Sequence, residues 1–315
     1  MGLMMLQTVK HWVFRDPFDV AVSKAAAEGK KNFLVVWNRG LGDIPLTFYA
    51  ATKRIRNYVP EAKITFLTRP DLEEGFVMLG GVEILVNPNI RRKQEFVLDD
   101  ALAQVGHHLS DFDHVFEELD TDRWFKWQLG KLTPKLIWRD EWDSLSERFG
   151  LGTYRPLIGV HVQTETVYRR YDKNWSLDCW RVFFTRATRE LNAHIVLFGF
   201  QPIPQFEGEG IIDLRGKTTL IEMMAIIKNC CTHLVAPDSG VLCMTYYLDV
   251  DAPLAVISLW GDPRYGVLRQ RVASPNPQLR HYPLIGWKRK IAKIPVEAVL
   301  DCIRSEGLPC VARRF

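Results

Sequence analysis

Three short stretches of this chain set charged and small residues where a polar ligand could be held. Arg39-Gly40-Leu41-Gly42-Asp43 follows the apolar run 33–37. Its two glycines permit a tight turn and close backbone approach, and they deliver the Asp43 carboxylate to the start of the next helix. Asp43 could serve as a base on a bound hydroxyl, or simply as the helix N-cap. Asp172-Lys173-Asn174-Trp175 follows the polar loop 163–171, which carries Arg169 and Arg170. Lys173, with those arginines beside it, could neutralise a diphosphate, or the loop could be a solvated charged surface. Asp238-Ser239-Gly240 ends the apolar run 232–238. Its backbone N–H groups at a helix start suit phosphate or sugar oxygens, and a plain capped helix is the alternative.

Such turns need strands before them and helices after them, and the hydrophobic pattern supplies both. Strands are predicted at 33–37, 63–68, 82–87 and 113–119, with helices at 43–57, 71–79 and 92–105 between them. Around 151–156 the periodicity lapses as in a linker, and the pattern restarts. Strands are then expected at 157–162, 194–200, 232–238 and 253–261, and helices at 177–191, 219–230, from Ser239, and at 294–305. This alternation implies an α/β fold of two Rossmann-like, doubly wound parallel-sheet domains. The expected division is an N-terminal extension over 1–30, a first domain over 31–152, a second over 153–290 and a closing helix within 291–315.

Composition agrees with that scale. The chain has 315 residues, 47% hydrophobic and 25% charged, with a net charge of +4. Residues 1–150 hold 20 basic against 22 acidic side chains, and residues 151–315 hold 21 against 15. The basic half is the natural place for a diphosphate, but the excess is too small and diffuse for duplex nucleic acid. No apolar run reaches about 18 residues, and the N-terminus lacks the charge pattern of a secretory signal. A cytoplasmic location with reduced thiols is expected; the six cysteines form no CxxC pair, which also argues against a zinc site. His161, His107 and His108 read as packed or solvated residues, and Trp124 and Trp127 as core and rim.

In combination and order, the three turns resemble one family, the lipopolysaccharide heptosyltransferases of glycosyltransferase family 9. The segment RGLGDIPLTFYATKRIRNYVPEAKITFLT is similar to that family's opening LGD turn, helix and strand. DKNW with CWRVFF is similar to its donor loop and helix, and IIDLRGKTTLIEMMAIIKNCCTHLVAPDSG to its later helix and D-[ST]-G turn. The resemblance spans about 33–265 and implies a GT-B-like fold, with the two domains facing a central cleft. It implies that Asp43 is the general base, that Lys173, Gln163 and Thr164 hold the donor pyrophosphate, and that Glu222 contacts the donor ribose. Asp238, Ser239 and Gly240 would grip the transferred sugar and phosphate, with Arg169 and Arg170 as candidate phosphate contacts. The sequence departs from the family at Cys243, which stands where D-[ST]-G-x-x-H has its histidine, and at Ser176, which replaces a proline.

The expected activity is therefore inverting glycosyl transfer from a nucleotide diphosphate sugar, expected to be ADP-linked and heptose-like, to a lipopolysaccharide core or another saccharide. No metal and no cofactor are expected, since no convincing DxD loop occurs and Lys173 with helix termini would meet the leaving group. The expected partners are that donor and a lipid-linked saccharide acceptor, with peripheral contact at the cytoplasmic face of the inner membrane and no nucleic acid. Two rival readings are a nucleotide-sugar epimerase of similar architecture and a degenerate nucleotide-sugar-binding protein without activity. A nicotinamide dehydrogenase is disfavoured because GxGD is not GxGxxG.

Overall fold

A computed structural model describes residues 16–117, 119, 127–164, 173–305 and 313–314. The chain forms two compact units that divide between Leu129 and Gly130. Residues 130–156 thus run with the second unit, and Leu151, within the stretch read as a linker, is buried.

The first unit holds β1 (Asn32–Trp37), β2 (Lys63–Thr68), β3 (Glu83–Val86) and β4 (His114–Phe116) in one parallel sheet of order β3-β2-β1-β4. β1 is apolar on both faces, as a central parallel strand must be. Leu34 and Val36 join Leu67, Ile90, Ala101 and Leu102 on one face. On the other face Trp37 meets Phe48 at 4.8 Å, Phe48 meets Phe66 at 5.2 Å, and Phe66 stacks on Phe76 at 4.3 Å. The helix expected at 43–57 is divided. A wide π-helical turn (Ile44–Phe48), with Tyr49 N–H donating to the Ile44 carbonyl, leads into α2 (Tyr49–Tyr58). Before β1 lies α1 (Pro17–Ala27), within the stretch read as an extension; Asp16 caps it, and Phe18 packs on Phe116 at 5.2 Å. α3 (Glu73–Leu79) follows a single 3-10 turn. The helix expected over 92–105 shrinks to α4 (Leu98–Ala103). Residues 91–94 instead brace the loop after β1, where Asn38 Nδ2 donates to the carbonyls of Arg91 (3.2 Å) and Gln94 (2.9 Å).

The second unit holds β5 (Leu157–His161), β6 (His194–Phe198), β7 (Ile211–Asp213), β8 (His233–Pro237), β9 (Leu254–Trp260), β10 (Leu279–Ile285) and β11 (Arg313–Arg314). All its pairings are parallel, in the order β11-β10-β9-β8-β5-β6-β7. α5 (Leu177–Leu191) and α9 (Val296–Arg304) cover one face through Trp180, Phe183, Phe184, Val299, Leu300 and Ile303. The remaining helices are α6 (Leu220–Asn229), α7 (Gly240–Tyr246) and α8 (Gly266–Gln270). β7, β10 and α8 have no counterpart in the sequence-based expectation. β10 contains Pro283, which a strand accepts where one side has no partner; β11 pairs only with Leu284 and Ile285.

Each sheet reverses its strand order once, between β1 and β4 in the first unit and between β5 and β8 in the second. At such a point the flanking connections leave for opposite faces, and a crevice opens at the carboxyl ends of the strands. The two-domain α/β class expected from the sequence is the one observed.

His161, at the carboxyl end of β5, is 6% exposed, and its Nδ1 has no hydrogen-bond partner. Burial pulls its pKa down from 6.5 to about 4. The unfolded chain therefore takes up a proton first as pH falls, so stability present above pH 6.5 is lost on the way to pH 4. Urea unfolding should show wild type losing about 2 kcal/mol more than His161→Phe between pH 7 and pH 5. Equal losses in the two proteins would show that His161 does not titrate this way.

Candidate functional site

In the second unit the reversal point is furnished by the loops that follow β5 and β8. β5 runs out through Val162, exposed Gln163 and Thr164. The chain re-enters the described residues at Lys173, and Asn174 ties the two ends of this loop together. Its Oδ1 accepts from Thr164 N–H at 2.8 Å, and its Nδ2 donates to the Thr164 carbonyl at 3.2 Å. Trp175 is buried at 2% exposure, packs edge-on against Trp180 at 4.9 Å and donates its indole N–H to the Ile294 carbonyl at 3.1 Å. Ser176 then caps α5, its Oγ accepting from Cys179 N–H at 3.2 Å. Serine is among the best N-cap residues, so Ser176 suits the start of α5. Three consecutive anchors thus fix the backbone that carries Lys173.

From the other side of the reversal point, β8 delivers Asp238, whose N–H still donates to the Leu259 carbonyl at 3.2 Å. The Asp238 side chain is only 4% exposed, and Lys173 Nζ lies 2.6 Å from its Oδ2. The charges touch, but the angles are not those of a hydrogen bond. Ser239 caps α7 by accepting from Leu242 N–H at 3.2 Å, which leaves its own hydroxyl proton available to a ligand. Gly266 closes in from the loop after β9. A Cβ there would collide with Asp238 Oδ1 and stand 2.8 Å from Trp260, so only glycine, at φ +53°, fits over the carboxylate.

The structure therefore brings together Lys173, Asp238, Ser239 and Gly240, with Thr164 tied to their loop. Glu222 is committed elsewhere. It completes a capping box on α6, accepting from Thr219 N–H at 2.9 Å, and pairs with Arg148 at 2.6 Å. Arg169 and Arg170 lie outside the described residues, as do Trp124 and Cys310. Cys243 is buried inside α7 at 2% exposure. Sequence reasoning missed Asn174 as a clamp and Gly266 as the residue over Asp238. The turn-forming run Gly261-Asp262-Pro263-Arg264-Tyr265-Gly266, directly after a strand, was the signal for the second. Among the described residues no three His, Cys, Asp or Glu side chains converge as a metal would require, and the five described cysteines are all free thiols. No described helix is long and apolar enough to cross a membrane.

In the first unit Asp43 stands at the equivalent reversal point, half-buried after β1. It makes no N-cap hydrogen bond to the turn that follows. Its carboxylate instead folds back over Gly40, where an added Cβ would lie 2.7 Å from Oδ2. Trp37 Nε1 donates to the Gly40 carbonyl at 3.1 Å and holds the turn. The N-cap alternative is thus not the one realised.

No family model matches the chain, and no curated protein is similar to it in sequence. Its fold is similar to that of solved glycosyltransferases. A glycosyltransferase family 9 protein from Veillonella parvula matches with a TM-score of 0.57 at 16% identity, over 87% of this chain and 96% of that one. The ADP-heptose lipopolysaccharide heptosyltransferase II of E. coli matches with a TM-score of 0.57 at 16% identity, over 87% and 97%. At this identity the likeness establishes the fold alone, two units each built on a parallel α/β sheet, as the sequence implied.

Removing one member of a buried ion pair strands the other charge. Lys173→Ala should cost about 3 kcal/mol, less whatever water recovers at the partly open lysine. Adding Asp238→Asn should restore most of that loss, as read by urea unfolding of the four proteins in the cycle. If the two substitutions destabilise independently, the contact is not an energetic pair.

Proposed function

We propose that the chain is an inverting glycosyltransferase that moves a sugar from a nucleotide diphosphate donor to a saccharide acceptor without a metal ion. The observation that carries this reading is the Lys173–Asp238 pair at the reversal point of the second sheet, next to the N–H groups of Ser239 and Gly240. A departing diphosphate needs charge neutralisation where the carbon–oxygen bond breaks, and a nearly buried ammonium at a ligand crevice is suited to it. The acceptor hydroxyl attacks the anomeric carbon, the bond to the diphosphate breaks, and the hydroxyl proton passes to a carboxylate. Asp43 is our assignment for that base. The turn Gly40-Leu41-Gly42 presents its carboxylate at the carboxyl end of β1, over Gly40.

The fold likeness and the motif resemblance support an ADP-linked, heptose-like donor sugar and a lipid-linked saccharide acceptor such as a lipopolysaccharide core. The same resemblance supports a reaction at the cytoplasmic face of the inner membrane, with the protein peripheral to it. Gln163 and Thr164 are assigned to the pyrophosphate and Glu222 to the ribose; Glu222 would have to engage the ribose while holding Thr219 and Arg148, or release one of them.

The test is incubation with ADP-sugars and a saccharide acceptor, with mass spectrometry of the products. Transfer should persist in excess chelator, and loss of all turnover without magnesium or manganese would refute the metal-free step. Conversion of the sugar with donor alone would identify an epimerase instead.

Two substitutions separate chemistry from folding. Asp43→Asn should lower turnover by at least about 100-fold while leaving donor affinity in place. Gly40→Ala should also lower turnover, because the new methyl displaces the carboxylate, with the melting temperature nearly unchanged. Unimpaired turnover in both would remove Asp43 from the mechanism.

A further inference from the structure

The turn that carries Asp43 widens step by step along the chain. Asp43 N–H donates to the Gly40 carbonyl at 3.3 Å and Ile44 N–H to the Leu41 carbonyl at 3.1 Å, both three residues back. Leu46 N–H reaches four residues back to the Gly42 carbonyl at 3.3 Å, and Tyr49 N–H five residues back to the Ile44 carbonyl. Asp43 holds the N-cap position of this wide turn, yet its side chain makes no cap hydrogen bond there. An aspartate so placed ordinarily accepts from the N–H of the second or third residue after it. Those residues are Pro45, which has no N–H, and Leu46. The N–H of Leu46 is thus the one cap partner that would draw the carboxylate onto the turn.

Leu46 is held from elsewhere. Gln128, 2% exposed, donates its Nε2–H to the Leu46 carbonyl. With its N–H drawn to Gly42 and its carbonyl to Gln128, Leu46 cannot turn its peptide groups toward Asp43 without giving up a hydrogen bond inside the protein. The reach of Gln128 is set in turn by its neighbour Trp127. The Arg54 guanidinium lies 5.3 Å from the centre of the Trp127 ring and 5.5 Å from that of Tyr58. Arg54 is itself fixed as a fork on Asp19 of α1, with Nε 2.7 Å from Oδ1 and Nη2 2.5 Å from Oδ2. α1, read from the sequence as part of an extension, thus belongs to the frame that sets Gln128.

We infer that Pro45 and Gln128 are positioning residues that keep Asp43 off the helix terminus, Pro45 by removing one cap partner and Gln128 by tying down the other. The carboxylate that the turn would otherwise take as its cap stays over Gly40, where an added Cβ would lie 2.7 Å from Oδ2. A capped carboxylate gives a lone pair to the turn and is a weaker acceptor for a substrate proton. That Asp43 is the base belongs to the proposed function, on which this inference rests. Proline is common in the first turn of any helix. What sets this one apart is that Gln128, from a distant part of the chain, acts on the same carboxylate by a different route.

The test uses the full chain, with turnover of an ADP-sugar read by mass spectrometry and ADP affinity by calorimetry. Gln128→Met fills the space without a donor. It should lower kcat at least about fivefold, the share of molecules that a cap of ordinary strength withdraws, with ADP affinity unchanged. In an Asp43→Ala background the same substitution should change the residual rate less than about twofold, because Gln128 acts through Asp43. Pro45→Ala should lower kcat likewise while the melting temperature holds or rises, a combination that damage to the fold does not produce. It carries the test if Gln128→Met does not fold. Unchanged kcat in Pro45→Ala, or equal losses from Gln128→Met with and without the Asp43 carboxylate, would overturn the inference. If wild type turns over no ADP-sugar, the proposed function fails and the Leu46 amide signal decides the positioning. In protein labelled with nitrogen-15 at leucine, Leu46→Met identifies that signal. It should move downfield in Gln128→Met and return when Asp43→Ala is added. A signal that stays in place would overturn the inference by itself.

Discussion

Burying a carboxylate as deeply as Asp238 costs several kcal/mol unless a positive charge or hydrogen bonds compensate it, and in the second unit the compensating charge is Lys173. That requirement organises the surrounding chain. Asp238 ends β8, while Lys173 belongs to the connection from β5 to α5, so the two meet only because β5 and β8 are neighbours at the strand-order reversal. The lysine must then be held in register with the aspartate. Asn174 does this by closing the loop onto Thr164, and Trp175 by fastening it to the Ile294 carbonyl. Gly266 completes the enclosure by admitting backbone where no side chain would fit. An arriving diphosphate would meet a lysine whose position is already set, which is how a site avoids losing affinity to side-chain ordering.

The first unit solves a related problem by other means. Asp43 holds the N-cap position of the π-helical turn, yet its carboxylate makes no cap hydrogen bond there and lies over Gly40. Pro45 lacks an N–H and belongs to that wide turn, and the buried Gln128 amide donates to the Leu46 carbonyl within it. Short π-helical segments are often found at functional sites, where they turn a side chain away from its regular direction.

Much of this was legible in the sequence. The strand at 63–68 and the helix at 177–191 have their predicted bounds, because strong apolar periodicity and clear end signals coincide there: Ser176 before the helix and Asn192 after it. The turns bearing Asp43, Lys173 and Asp238 could be read as strand-to-helix junctions for the same reason. What could not be read depended on tertiary partners. The helix expected at 92–105 lost its first half, and the backbone of residues 91–94 serves Asn38 instead. β7 has three residues, too few to show a period, and β10 hides behind arginine, histidine and proline that its sparsely paired side tolerates.

Glu222 shows where motif reading and geometry need to be kept apart. Thr219 and Glu222 are spaced as a capping box, and the structure forms that box in full. The sequence resemblance assigns a second role to the same carboxylate, contact with a donor ribose. The two roles are physically compatible only if the carboxylate retains an oxygen for the ligand. One oxygen accepts the Thr219 N–H and the other meets Arg148, a side chain 58% exposed that a ribose hydroxyl could displace at little cost. The capping contact is therefore the part of this arrangement that the fold requires, and the Arg148 contact is the part that a ligand can exchange.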